Sequence, residues 1–312
     1  MKTDRLTFRS AEGTTDISAV LWYDDAAEPW AILQIVHGMQ EYKERYEPFA
    51  AWLVSQGVWV CSHDHLGHGA SVTSEENLGY MTADHPSDVL VEDMHRFRKL
   101  IEPRRPALPY FMLGHSMGSF LLRKYLVSYA EGLEGAIIMG TGQNPELMAK
   151  LGIALTSQAA RRHGWHYRSR QIQNLTYDRY YKQYDVTGTD HARTWLTRNQ
   201  EIADAYYADP KCNYLFTLSG HKALFEAVAF CASRKNNAAI RKDLPMLLIS
   251  GEEDPVGGLG RNVDKVRKLL EETGHTDVTM KLYPGDRHEI LNEPDREQVY
   301  RDICDWLRSK AG

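Results

Sequence analysis

The chain predicts an α/β fold: a mostly parallel eight-stranded sheet flanked by helices, with a helical lid inserted after the sixth strand. Three observations carry this. Short apolar runs alternate with longer amphipathic stretches, the pattern of a parallel sheet wrapped by helices. The later apolar runs are continuous, as strands buried on both faces must be. The stretch between Thr141 and Pro245 breaks the alternation, with helical and turn patterns but no comparable strand.

LTFRS (6–10) and DISAVLWY (16–23) lie close together and alternate in polarity, which predicts an antiparallel hairpin at the sheet edge. AILQIVHG (31–38), VWVCSHD (58–64), YFMLGHS (110–116), GAIIMGT (135–141), PMLLISGEED (245–254) and VTMKLYPGD (278–286) supply the other six strands. Helices are expected between them at 43–56, 87–102, 117–130, 259–273 and 295–309. In the third of these, Met117, Phe120, Leu121 and Tyr125 recur at helical spacing with Arg123 and Lys124 on the opposite side, the pattern of a helix packed on a sheet.

A length of 312 residues is near the limit for one core, so one α/β domain carrying an insertion competes with two separate domains. The expected division is a core of residues 1–142 and 241–312 with a helical lid, 143–240. That lid is aromatic: Tyr167, Tyr177, Tyr180, Tyr181, Tyr184, Tyr206, Tyr207 and Tyr214 lie in it with Trp165 and Trp195. Placed between two core strands, it reads as a cover over a site at the strands' carboxyl ends, although many of these rings are needed for the insertion's own packing.

Lys+Arg 37 against Asp+Glu 42 gives a net charge of -5, which repels nucleic acid unless the basic residues cluster. Cys61, Cys212, Cys231 and Cys304 lie far apart with no C-x-x-C pair, so neither a disulfide framework nor a cysteine zinc site is indicated. MKTDRLTFRS lacks the apolar stretch of a signal peptide, and the longest apolar run, WAILQIV, is interrupted by Gln34 and too short to span a bilayer. A soluble, cytoplasmic protein with reduced thiols is the expectation.

CSHDHLGHGAS (61–71) raises a metal reading, because His63, Asp64, His65 and His68 resemble the H-x-H-x-D-H ligand cluster of metallo-β-lactamase-like hydrolases. It fails on its own terms: Gly67 stands where that motif needs its aspartate, and outer-shell partners do not replace a missing ligand.

GHSMG (114–118) follows a predicted strand and opens a predicted helix, the context of a G-x-S-x-G nucleophile elbow. The serine of such an elbow is strained, and glycines two positions away on either side remove side chains that would clash across the turn. A serine hydroxyl needs a base, and the base an orienting acid, in the chain order Ser, Asp or Glu, His. Asp254 lies just beyond one strand and His288 just beyond another, where parallel sheets gather catalytic groups. Glu252, Glu253 and Asp286 compete for the acid role; Asp254 is favoured because the strand must end before the acid can turn inward, and Asp286 is better placed to brace the loop. HGM (37–39) follows the third strand, and the backbone N–H groups of Met39 and Met117 are the candidate oxyanion donors. His37 reads as a structural hydrogen bonder rather than a second base.

Together HGMQEYKERY, DHLGHGAS, LGHSMGS, SGEEDPV and YPGDRHEILNE resemble the α/β-hydrolase superfamily, more narrowly its monoacylglycerol lipase and bacterial lysophospholipase group of serine aminopeptidase-like hydrolases. The resemblance runs nearly the full chain, and WLTRNQEIADAYYADPKCNYLFTLSG is similar to that group's lid segment. It implies Ser116 as nucleophile, Asp254 as acid, His288 as base, and Met39 and Met117 as oxyanion donors. It also implies that Asp64, Gly67, Gly69 and Ser71 form a tight turn near the site mouth. Two departures stand out: Ser119 closes an elbow usually written GHSMGG, and HGMQEY replaces HGMGEH, so that Gln40 and Tyr42 are expected to alter the acyl pocket.

The function so implied is hydrolysis of a carboxylic ester through an acyl-enzyme, with a monoacylglycerol or similar single-acyl lipid as substrate and no cofactor or metal. Lysophospholipase and general carboxylesterase activities are the alternatives, followed by an amide hydrolase, a metal-dependent hydrolase and a non-catalytic receptor. The stretch ALFEAVAF (223–230) suits an acyl groove. Arg161, Arg162, Arg168 and Arg170 read as a solvated face or as a meeting point for a phosphate head group or an anionic lipid surface. The oligomeric state is left open.

Overall fold

The computed structural model describes residues 1–26, 28–177 and 179–312. Strands β1 (Lys2–Arg9), β2 (Asp16–Tyr23), β3 (Ala31–Val36), β4 (Val58–His63), β5 (Tyr110–His115), β6 (Gly135–Met139), β7 (Met246–Gly251) and β8 (Val278–Tyr283) form one sheet in the order β1-β2-β4-β3-β5-β6-β7-β8. β1 and β2 are the antiparallel edge hairpin, β2 also runs antiparallel to β4, and β3 to β8 are mutually parallel. Burial follows from place. Every residue of β3, β4, β5, β6 and β7 is buried, whereas the edge strands β1 and β8 alternate. The chain leaves β3 for β4 on one side, crosses back to β5 on the other and continues outward to β6, so the carboxyl ends of β3 and β5 flank the topological switch point.

Helices α1 (Glu47–Ser55), α2 (Pro86–Ile101) and α3 (Met117–Tyr129) lie in the first half of the chain. α4 (Glu146–His163), α5 (Arg170–Asn174), α6 (Gln200–Ala208), α7 (Leu218–Ala232) and α8 (Arg234–Ala239) fill the stretch between β6 and β7, and α9 (Arg261–Glu272) and α10 (Arg296–Lys310) complete the fold. On one sheet face Ile32, Met112, Ile138 and Leu248 pack with Phe97 of α2, Leu121 and Tyr125 of α3 and Val266 of α9. On the other, Leu33, Val60, Leu113 and Ile249 pack with Phe49 and Leu53 of α1 and Ile303 and Leu307 of α10. No helix among the described residues is long and apolar enough to cross a membrane.

α7 changes the expected picture of α3. It starts where the Thr217 hydroxyl accepts the Gly220 N–H, 3.1 Å away. Its small residues Ala223 and Ala227 then join the apolar cluster that contains Phe120 and Leu121. The side of α3 that carries Arg123 and Lys124 is therefore covered rather than solvated. Arg123 donates to the carbonyls of Gly142 (3.2 Å) and Cys231 (3.0 Å), and Lys124 Nζ lies 2.6 Å from Asp88. The arginine cluster also divides. Arg161, Arg162 and Arg170 are exposed, but Arg168 turns inward and donates to Leu78 O (2.7 Å) and Glu76 O (3.0 Å), which makes it a tie between the insertion and the core.

Candidate active site

β5 ends at His115 and α3 begins at Met117, so Ser116 alone makes the turn, at φ +52 and ψ −119. A non-glycine residue there is strained by about 1–3 kcal/mol, which the surrounding packing must hold. Both neighbouring glycines are required by close approach: a Cβ on Gly114 would lie 2.4 Å from Gly118 O, and one on Gly118 would lie 2.1 Å from Val36 O. Ser119, where the resembled motif has glycine, turns its hydroxyl back onto Ser116 O at 2.6 Å.

Asp254 and His288 meet from the ends of β7 and β8. His288 Nδ1 donates to Asp254 Oδ1 at 3.0 Å, and both side chains are buried. The same carboxylate accepts Ser250 Oγ–H at 2.9 Å and Val256 N–H at 2.8 Å. Burial opposes ionisation of Asp254, but the imidazole and these donors outweigh it and hold the carboxyl below its ordinary value. With Nδ1 carrying the proton toward Asp254, Nε2 is the ring's basic nitrogen; it is buried and has no hydrogen-bond partner among the described residues. Glu252 and Glu253 are exposed. Asp286 is buried and ion-paired with Arg198, so it braces the loop before His288, with burial and the nearby Glu293 and Asp295 pushing its carboxyl up to about 7.

The loop after β3 lies directly against the elbow: a Cβ on Gly38 would fall 2.9 Å from Ser116 Cβ. Met39, the first candidate oxyanion donor, lines one cavity with Ser116 and Met117. His37 is fully buried; its Nδ1 donates to Gly38 O (2.8 Å) and its Nε2 accepts the His65 N–H (2.9 Å). It holds backbone.

The histidine-rich stretch is a turn. Asp64 accepts Lys43 N–H at 2.8 Å, Lys43 Nζ at 2.6 Å and Ala70 N–H at 2.8 Å. A Cβ on Gly67 would meet Tyr80 O at 2.2 Å and one on Gly69 would meet Asp64 Oδ2 at 2.4 Å, so both positions need glycine. The rings of His63, His65 and His68 pack on Phe97, His37 and Phe216, and no group of three metal-ligating side chains converges among the described residues.

Glu41, Arg45, His115 and Glu289 were not singled out from sequence. Glu41 accepts the Gly38 N–H, the Tyr46 hydroxyl at 3.0 Å and His115 Nδ1–H at 2.9 Å, while Arg45 reaches its other oxygen at 3.2 Å. His115 Nε2 faces His288 O at 3.3 Å, so both of its nitrogens donate. Burial disfavours that charged ring, but Glu41 reverses the balance and raises its pKa. The same pairing, against burial, draws Glu41 down to about 2. Arg45 also pairs with Glu289, giving two cations and two anions beneath the site. Trp195, named from sequence only as one of the insertion's aromatics, places its ring centroid 4.8 Å from that of His288 and accepts the His288 N–H on its carbonyl at 3.3 Å.

The cavity holds about 330 Å³. Its wall is mostly apolar: Phe120 from α3, Met148, Leu151 and Leu155 from α4, Leu175 beyond α5, and Leu224, Phe225 and Val228 from α7. Met148, Leu151 and Leu175 are also exposed, so they form the mouth. Gln40 and Tyr42 are absent from this wall, contrary to the expectation that they would shape it. A hydroxyl at a strained turn and an imidazole oriented by a carboxylate are components that acyl transfer requires.

Residues 27–295 match the family described as serine aminopeptidase, S33. The chain belongs to that family. It is 26% identical over 293 residues to a monoacylglycerol lipase of Mycolicibacterium smegmatis, covering 93% of this chain and 91% of that protein. It is 26% identical over 295 residues to the monoglyceride lipase of Homo sapiens, covering 93% of this chain and 86% of the human protein. The structure superposes on a carboxyl esterase from Bacillus coagulans with a TM-score of 0.90 at 27% identity, over 100% of both chains.

Proposed function

We propose that this S33 member is a serine carboxylic ester hydrolase that works through an acyl-enzyme on monoacylglycerols or similar single-acyl esters. The observation that carries the reading is Ser116 on its strained turn, in the wall of an apolar cavity also lined by Trp195, whose ring packs on the His288 that is bonded to Asp254. His288 Nε2 takes the Ser116 proton as the oxygen attacks the ester carbonyl. The oxyanion is held by the N–H groups of Met39 and Met117, and the alcohol leaves with the proton from His288. Water, activated by the same imidazole, then releases the acid. Asp254 keeps the ring in the tautomer that leaves Nε2 free to accept.

The apolar wall supports a fatty acyl group, because each buried methylene contributes about 0.8 kcal/mol. Relatives named for monoacylglycerol support the same class. An amino-peptide substrate would need an anion for its α-ammonium, and the described residues of the cavity wall include no Asp or Glu. Residues 143–240 then act as the lid that supplies this wall, and four unpaired, buried cysteines suit a cytoplasmic setting.

A fluorophosphonate probe should label wild-type protein at Ser116 and leave Ser116→Ala unlabelled. Monoacylglycerols should turn over faster than triacylglycerols or an amino-terminal prolyl amide. Hydrolysis by Ser116→Ala sinks the nucleophile assignment; a preference for the amide sinks the substrate class alone.

A further inference from the structure

Gln40 directly follows Met39 and sits at φ +58, the left-handed region that favours glycine. Such a residue persists only where its surroundings hold it. What holds it is far away in sequence. The Gln40 side-chain amide donates to Tyr214 O, and two residues on Tyr42 donates its phenol to Asp209 at 2.7 Å. Asp209 and Tyr214 bound a turn that is closed on itself: Cys212 and Asn213 N–H groups reach Asp209 O at 2.9 and 2.8 Å, and Lys211 N–H reaches Asp209 Oδ1 at 2.8 Å. The Lys211 ammonium lies 5.4 Å from the centre of the Tyr42 ring.

Between these outward residues, Glu41 points the other way and takes the Gly38 N–H and His115. One short segment therefore grips the floor of the site with its middle residue and the insertion with its two neighbours. Main-chain oxyanion donors carry no side chain to aim them, so the loop's conformation alone sets their direction. Strain at Gln40 favours relaxation of the peptide that follows Met39, and the bond to Tyr214 opposes it.

We propose that Gln40 and Tyr42 are positioning residues that clasp the oxyanion loop to the 209–214 turn, so that the Met39 N–H is aimed only while the insertion is seated. This rests on the acyl-enzyme reading above. It assigns a role in the rate of the chemical step to the two positions where the chain departs from the resembled motif, and none in contacting the acyl chain.

The test compares wild type with Gln40→Ala/Tyr42→Phe, which removes both bonds and leaves the strained backbone at position 40 unheld, and with Asp209→Asn, whose amide oxygen still accepts from Tyr42. On p-nitrophenyl butyrate the double variant should lose about ten- to a hundred-fold in kcat with KM within about three-fold, the size expected for misaimed catalytic groups. Affinity for an aryl boronic acid, which forms a tetrahedral adduct on the serine, should fall in parallel. Asp209→Asn should retain kcat, and thermal melts should show every variant folded at the assay temperature. Unchanged kcat, a rise confined to KM, a loss matched by the unfolded fraction, or an Asp209→Asn as impaired as the double variant overturns the clasp. Wild-type protein that takes no fluorophosphonate overturns the acyl-enzyme reading itself; labelled wild type with unaltered variants overturns the clasp alone.

Discussion

Arg45 donates two parallel hydrogen bonds to Glu289, at 2.8 and 2.7 Å, joining residues 244 positions apart in the chain. Glu289 follows His288, and Arg45 also holds Glu41, so one guanidinium ties the loop after β8 to the loop after β3. Arg45→Ala leaves the buried Glu289 carboxylate without its cation and Glu41 with His115 alone, and should lose on the order of 3 kcal/mol of stability. Denaturant unfolding at neutral pH measures it.

The pH dependence of that loss has a definite sign. Glu41 is drawn from 4.5 to about 2 in the fold, so its contribution is full above 4.5 and fades as pH falls toward 2. His115 is raised, and its contribution is already full below 6.5, so it adds no slope in that window. Against burial, Arg45 is likewise the main influence that holds the Glu289 carboxyl below its ordinary 4.5, so the stability gap between wild type and Arg45→Ala should narrow below about pH 4.5. A gap that stays constant down to pH 3 contradicts the pairing.

Asp254→Asn should retain the fold, since its one side-chain oxygen can accept the Val256 N–H while its amide N–H donates to Ser250 Oγ, yet kcat should fall by roughly 10⁴ because the neutral amide neither selects the tautomer nor stabilises the charged imidazole. Full activity in this variant would transfer the acid role to Glu252 or Glu253. A loss of folding, seen in a melt, would make the comparison uninformative about tautomers and assign Asp254 to stability.

Leu155 lies in the cavity wall on α4. Leu155→Trp should shorten the preferred acyl chain, lowering kcat/KM for octanoyl esters by at least about ten-fold relative to butanoyl, the discrimination that a filled apolar pocket provides. An unaltered chain-length profile would place the acyl group elsewhere.

His221 is buried between Phe216 and Phe225, with neither ring nitrogen hydrogen-bonded among the described residues, and burial lowers its pKa to about 4. The unfolded chain binds this proton near 6.5 and the fold does not, so wild type loses stability between pH 6.5 and 4. His221→Phe should be more stable than wild type at pH 7, and the difference should widen by up to about 1.4 kcal/mol per pH unit on acidification to pH 4. Melting midpoints across that range decide it; a difference independent of pH would mean that the ring is already charged in the fold.

The strands and the core helices were legible because each is a local pattern, and Ser116, Asp254 and His288 stood out because each sits just past a strand in a recognisable context. The turn at Asp64 was legible too, through Gly67. What escaped was pairing across distance. Nothing local in α3 says that Arg123 and Lys124 will be covered, since the cover is α7, a hundred residues on; nothing in KERY or RHEI says that Arg45 and Glu289 will meet. ALFEAVAF shows both sides of the matter: Leu224, Phe225 and Val228 line the cavity as expected, while Ala223 and Ala227 are small so that α7 can lie on α3. Gln40 and Tyr42 were noticed as departures, but their direction depends on a turn near residue 210.

β6 and β7 are neighbouring parallel strands, so a chain leaving the carboxyl end of one must travel the height of the sheet to enter the other. α7 and α8 make that journey, packed on α3, and the polypeptide before them is under no such obligation. The protein is thus partitioned in its tolerance of exchange. Residues 143–217 are a detour whose obligations are local: Trp195 and Arg198 hold the loop that carries His288, and the 209–214 turn holds Gln40 and Tyr42, so a homologous segment grafted here must keep those contacts while the rest of it reshapes the cavity. A graft that reached into α7 would instead sever the only route back to β7 and take the nucleophile's own helix with it.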